Sequence, residues 1–330
     1  MEAAGLEYVG PLPRRWLGRK LTRWLREGCL GSGTELVHLF DRPAAIATLP
    51  TLRDLPVAII MRHDRPGGVQ RWNPLARLSV LDPRIDIITC PAESIRAELA
   101  AQRDPAGIFT VRPGHSPDWH AGPAVDLRQF GVPPDAFAVA VLSNYRPRKG
   151  IEYIVDAAQW LPPDAPVYFL LIGAGVENRG VLERIVRSPF RRRFRVLGFR
   201  EDAPGIVAAC QVMMRGAVVH EGIPRSLLES MACGVPPIAT DSPSLRELVV
   251  QGETGILVRR RSSRALGEAL AWLLEHPQQR RSMGQAARER ILHEFTPEQA
   301  VEAHIELYRA LGRGRSIMRT PGRPGAPRRP

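Results

Sequence analysis

The chain has 330 residues, enough for two domains of ordinary size, and 44% hydrophobic against 24% charged residues excludes wholesale disorder. Its net charge is +12, yet Lys20 and Lys149 are its only lysines and its basic residues gather towards the two ends, at 14–26 and 313–329, instead of forming a basic patch along the folded chain. That pattern argues against a nucleic-acid partner and suits phosphorylated or lipid ligands equally well.

No apolar stretch reaches the ~18–20 residues that cross a bilayer, and no signal-peptide core opens the chain. Cys29, Cys90, Cys210 and Cys233 are scattered, as expected of free buried thiols in a reducing cytoplasm. Residues 12–26 place Leu12, Trp16, Leu17, Leu21, Trp24 and Leu25 at helical spacing with arginines between them. Such a basic amphipathic helix fits a peripheral contact with the inner face of the cell membrane, or a domain helix whose solvated side is arginine-rich. Both readings stay open.

Short apolar runs follow: ELVHLF, PVAIIMRH, RIDIITC and IFTVRPG, the last two separated by a helical stretch at 92–102. Strands alternating with helices predict a parallel sheet. Residues 115–136, rich in Pro, Asp and Gly, read as a linker. A second series then runs from FAVAVLSN through VYFLLIG, RFRVLGF, QVMMRGAVV and PPIAT to GILV, with helices between, and describes a complete doubly wound α/β domain. Helices are expected at 263–275, 278–294 and 296–311, and residues 312–330 read as a disordered basic tail.

The segment HEGIPRSLLESMACG places Glu221 in a loop and Glu229 in the first turn of the next helix, with Ser226 as its cap and Gly234 just past its end. The turn of Gly222, Ile223 and Pro224 lets the chain approach a ligand closely and feeds the helix start at Arg225, Ser226 and Leu227, whose backbone N–H groups would face a diphosphate. Glu229 could accept the hydroxyls of a ribose. Ordinary capping explains the same residues, and spacing alone leaves the choice open.

The run from 144 to 258 resembles family 4 retaining glycosyltransferases, the glycosyl transferases group 1, which have the GT-B fold. Glu221 and Glu229 have the family's spacing, ESMACGVPPIATD matches its helix–strand passage, and LRELVVQGETGILV the segment after it. Ser242, Pro243 and Ser244 stand where members carry a glycine pair, and Asn144 stands where they carry an arginine. The resemblance implies two Rossmann-like doubly wound domains facing across a cleft. They would be a shortened acceptor domain at 1–135 and a donor domain at 136–295, with the helix 296–311 crossing back to the first.

It further implies that Arg146 and Lys149 hold the donor's diphosphate, that Gly173 and Gly198 lie beside the donor, and that Glu221 and His63 serve catalysis near its sugar. The donor would be a UDP-, GDP- or dTDP-sugar acting as co-substrate, and the acceptor a glycan, a lipid-linked sugar or a small molecule. Transfer would proceed with retention, as in polysaccharide or glycolipid biosynthesis. No cofactor is called for. No metal-ligand spacing and no DxD motif appears, in keeping with a metal-independent GT-B transferase. A GT-B sugar-nucleotide epimerase and a non-catalytic donor-binding module are the alternatives.

Overall fold

Runs of Val, Ile and Leu between turn residues form strands here because branched side chains suit a pleated surface buried on both faces. In the computed structural model, which describes residues 19–31, 33–120 and 123–318, these strands sort into two parallel sheets, each within its own unit. The first unit holds the described residues up to Cys90, then Arg96–Phe109 and the chain from His304. The second holds Pro91–Ile95 and Thr110–Ala303.

In the first unit β1 (Leu36–Leu39), β2 (Ala58–Arg62), β3 (Ile87–Cys90) and β4 (Ile108–Thr110) lie side by side in chain order. The helices between them are α2 (Arg42–Leu52), α3 (Pro74–Arg77) and α4 (Glu93–Ala100), with α1 (Arg19–Gly31) preceding the sheet. Leu49, Leu52, Ile59, Ile60, Ile88 and Leu99 are fully buried and form its core. Helix α2 is absent from the sequence reading. Asp41 starts it by accepting from the Ala44 amide at 2.7 Å, and Pro50 is tolerated two residues before its end. Helix α1 packs along α2, where the Thr51 hydroxyl meets Thr22 at 3.2 Å. Residues 12–18 of the expected amphipathic helix lie outside the described residues.

The second unit has strand order β10-β9-β8-β5-β6-β7. The strands are β5 (Phe137–Leu142), β6 (Val167–Ile172), β7 (Phe194–Gly198), β8 (Val212–Arg215), β9 (Pro237–Thr240) and β10 (Ile256–Val258). Helices α5 (Ile151–Ala157), α6 (Arg179–Arg187), α7 (Ala203–Ala208), α8 (Arg225–Ala232) and α9 (Pro243–Leu248) alternate with them. Three more, α10 (Ser263–Glu275), α11 (Pro277–Glu294) and α12 (Pro297–Met318), follow β10. Strand β5 shows why both faces are covered. Its alternate residues Val139 and Val141 pack with Ile154, Phe169 and Leu270 on one face, while Ala138 and Ala140 pack with Leu227 and Met231 on the other. The sheet therefore grows outward in two directions from β5, and the order reverses between β5 and β8.

Several expectations need correction. Among the described residues of 115–136 only short 3-10 turns occur, but the segment is fastened to the second unit. The His115 amide donates to Phe295 O at 2.8 Å, Val125 N to Gly205 O at 3.0 Å, and Val132 is buried. Helix α12 runs to Met318 instead of ending at 311, because extending a formed helix costs far less than nucleating one. Residues 319–330 of the expected tail lie outside the described residues. Ser242, at the departure from the family pattern, caps α9 through the Leu245 amide, with Pro243 at the first helical position. None of the four cysteines is in a disulfide; Cys90 and Cys210 are buried, and Cys29 and Cys233 are half-buried.

Candidate functional site

In an open parallel sheet, ligands collect beyond the carboxyl ends of the strands where the strand order reverses. In the second unit that point lies between β5 and β8, so the loops leaving these strands define the site. The loop after β5 carries Asn144 to Gly150, and the loop after β8 carries Gly216 to Pro224. Two glycines bring them together. Gly150 has φ +63°, and a Cβ there would lie 1.9 Å from Gly216 O. A Cβ on Gly216 would meet Gly150 O at 2.6 Å, so the two backbones touch where any side chain would part them. The Val218 amide also donates to Arg148 O at 3.0 Å.

This junction brings Lys149 and Glu221 into contact, with Lys149 Nζ 2.5 Å from Glu221 Oε1. The other carboxylate oxygen, Oε2, accepts from Arg215 Nε at 3.0 Å and also from its Nη2. Arg215 ends β8 and its side chain is 6% exposed, against 12% for Glu221 and 22% for Lys149. Its remaining nitrogen, Nη1, reaches Ser226 Oγ at 3.3 Å in the first turn of α8. One carboxylate is thus held between two cations in a largely water-free pocket. Burial pushes the Glu221 carboxyl upward, but Arg215 and Lys149 together outweigh it and hold it below the usual carboxylate range. Burial, followed by the nearby Arg215, lowers Lys149, and Glu221 offsets only part of this.

Helix α8 begins at Arg225 behind Pro224, which offers no capping side chain, so the Arg225 and Ser226 amides are available to an anion, whereas the Leu227 amide already donates to Pro224 O at 3.1 Å. Ser226 is therefore not the cap that its position suggested; its hydroxyl faces Arg215 instead. Glu229 falls in the second turn of α8 rather than the first, because the helix starts only at Arg225. Gly234 lies just beyond the helix with φ +74°, as expected of a residue in that place.

Around this cluster, Gly173 ends β6 at φ +138°, where a Cβ would meet Ser143 O at 2.4 Å, and its amide donates to Gly198 O at 2.7 Å. Asn144 Oδ1 accepts from the Ala174 amide at 2.9 Å and ties the β5 and β6 loops together. Gly222 and Ile223 lie half-buried in the loop before α8, with Leu227 fully buried beneath them. Arg146 stands exposed at the start of the 3-10 turn 147–149, outside the ion-paired cluster.

His63 belongs to the first unit. It follows β2, donates its amide to Thr89 O at 2.8 Å, and is 5% exposed. Burial, assisted by Arg42, lowers its ring to about 4, so the imidazole is neutral at pH 7. Among the described residues no group of three or more His, Cys, Asp or Glu could hold a metal ion, and no helix is long and apolar enough to cross a membrane.

Arg215 is the residue that the sequence reading missed. Its signal was an arginine closing the buried run VMM, six residues before Glu221.

The family model described as Glycosyl transferases group 1 matches residues 125–290. The N-acetyl-alpha-D-glucosaminyl L-malate synthase of Bacillus anthracis is 26% identical over 181 residues, covering 55% of this chain and 47% of that protein. The lipopolysaccharide core biosynthesis glycosyltransferase LpsE of Rhizobium meliloti is 26% identical over 184 residues, covering 56% and 53%. The chain thus spans about half the length of these curated relatives. Among solved structures, Anabaena HepE in complex with UDP superposes with a TM-score of 0.79 at 21% identity, covering 88% of this chain and 82% of that one. The sucrose-phosphate synthase of Thermosynechococcus elongatus gives 0.77 at 22% identity, covering 92% and 81%.

Proposed function

The chain belongs to the glycosyl transferases group 1 family, with the two parallel-sheet units of a GT-B architecture, and from this we propose that it transfers a sugar from a nucleoside-diphosphate donor to an acceptor hydroxyl. The observation that carries the proposal is Glu221 held between Lys149 and Arg215, with Arg215 reaching Ser226 at the open start of α8, at the point where the strand order reverses. Two cations and a helix N-terminus suit the negative charge that develops on a departing diphosphate. Arg146 stands near enough in sequence to join them when donor binds.

In the proposed reaction Glu229 holds the ribose, and Glu221, kept ionised, stabilises positive charge at the anomeric carbon of the sugar. The leaving phosphate takes the proton of the acceptor hydroxyl, which gives family 4 chemistry with retention and needs no metal. Gly173 and Gly198 keep the β6 and β7 strand ends low beside the donor. His63, in the first unit, serves the acceptor side as a neutral hydrogen-bonding group. UDP in the Anabaena HepE complex makes a UDP-sugar the first donor to try. The exposed Arg23 and Arg26 of α1 suit an anionic membrane surface, which favours a lipid-linked acceptor.

The test is a panel of UDP-, GDP- and dTDP-sugars read by thermal shift and by nucleotide release, with and without EDTA. One nucleotide should raise the melting temperature by mass action, and EDTA should leave that shift unchanged. Glu221→Gln should keep nucleotide affinity and lose turnover. Full turnover in that variant sinks the assignment, as does a sugar altered without release, which would mark an epimerase. Binding without any turnover would mark a donor-binding module.

A further inference from the structure

The first unit contains a pocket of about 360 Å³ beyond the ends of β1 and β2, lined by Phe40, Arg42, Arg62, His63, Asp64 and Arg65 together with the loop to Gly67. Its charges are unevenly matched. Arg62 Nε is paired with Asp64 Oδ1 at 2.5 Å, and Asp41 Oδ1 is engaged by the Ala44 amide. Arg42 and Arg65 are left without an ion pair among the described residues. Arg42 is half-buried, and burial together with Arg65 lowers its guanidinium from the ordinary arginine value.

Arg65 is exposed and Arg42 half-buried, so the two like charges at the pocket mouth repel each other and an anion between them would relieve that repulsion. The loop backs this arrangement without neutralising it. Gly67 and Gly68 take φ +83° and +69°, and a Cβ on Gly68 would lie 3.2 Å from Arg42 Nη1, so the glycine leaves room for the guanidinium. The Glu98 carboxylate nearby accepts from the Gly67 amide at 2.9 Å through each oxygen and is thereby occupied. The buried His63 ring completes the wall as a neutral donor or acceptor.

We infer that this pocket binds an oxyanion, a phosphate or a carboxylate, between Arg42 and Arg65 and against His63. On the reading of the chain as a glycosyltransferase, that oxyanion belongs to the acceptor, which makes the acceptor an anionic molecule. Arginine's planar fork suits either group, since both present paired oxygens.

The experiment is isothermal titration of the full chain with inorganic phosphate and, separately, with malonate, in buffer containing saturating UDP so that the donor site is occupied. Arg42→Gln and the double variant Arg42→Gln/Arg65→Gln are compared with Arg187→Gln, an exposed arginine far along the sequence that controls for net charge. Phosphate or malonate should bind the wild type and the Arg187 variant equally, and at least about tenfold more weakly to the Arg42 variant, the loss of one charge-assisted contact. Arg42→Lys should recover part of the affinity. Which anion binds names the class. Equal weakening in the Arg187 variant, or none in the Arg42 variant, overturns the inference. The titration is read whether or not UDP binds, so absence of UDP binding counts against the transferase reading alone.

Discussion

The ion-paired cluster allows one perturbation to be worked through. Arg215→Met replaces the buried guanidinium with a shorter, unbranched apolar side chain and leaves Glu221 paired with Lys149 alone. Breaking a buried pair costs about 3–5 kcal/mol, and the surviving lysine places this case near the low end, at about 3 kcal/mol. For a unit of this size each kcal/mol moves the melting temperature by about 2–4 °C, so the expected drop at pH 7 is roughly 6–12 °C.

The pH dependence has a definite sign. The folded Glu221 carboxyl lies below its ordinary value of 4.5, so its contribution is fully present above that value and fades as pH falls through the folded one. Without Arg215, burial works against Lys149 alone and raises the folded value. Stability and turnover should then begin to fall at a higher pH than in the wild type. Circular-dichroism melts from about pH 2.5 to 8, with activity profiles alongside, read both effects. A double cycle with Glu221→Gln should give a coupling of about 0.5–3 kcal/mol. A melting temperature for Arg215→Met within 1 °C of wild type at pH 7, with an unmoved acid limb, would refute the reasoning.

Gly150→Ala should destabilise the protein by about 2–5 kcal/mol, since it combines left-handed strain with the clash on Gly216 O. Gly198→Ala shares the positive φ but meets open space and should cost only about 1–2 kcal/mol; equal urea midpoints would contradict this. Burial pushes the Cys210 thiol up to about 12, so peptide mapping should find it unlabelled by maleimide at pH 8 until the protein is unfolded. Labelling in the native state at the unfolded rate would show that the thiol is accessible.

The second unit was readable in the sequence because parallel strands buried on both faces appear as unbroken apolar runs, as FAVAVL and VYFLLI do. Helix α2 was hidden because Pro50 interrupts it and its apolar residues do not keep to one face. The start of α8 was misplaced by the pull of Ser226, a good capping residue that in the fold serves Arg215 instead. Arg215 itself escaped because its partners are set by topology. Strand β8 pairs with β5, with Val212 opposite Val139, and only that neighbourhood brings an arginine from one strand to a lysine that follows the other. Spacing along the chain carries Glu221 and Glu229, but not the identity of the strand next door.

The contact between Gly150 and Gly216 also bears on how this protein could be altered. Both positions are already at the smallest possible residue, so a substitution at one has no compensating reduction at the other. The inner edges of the two loops are therefore closed to variation, and any change in the proposed donor preference has to come from their outer edges. Libraries aimed at a different nucleotide or sugar for the proposed reaction should leave the glycines and Arg146 untouched and spend their diversity on Arg148 and the residues around His220.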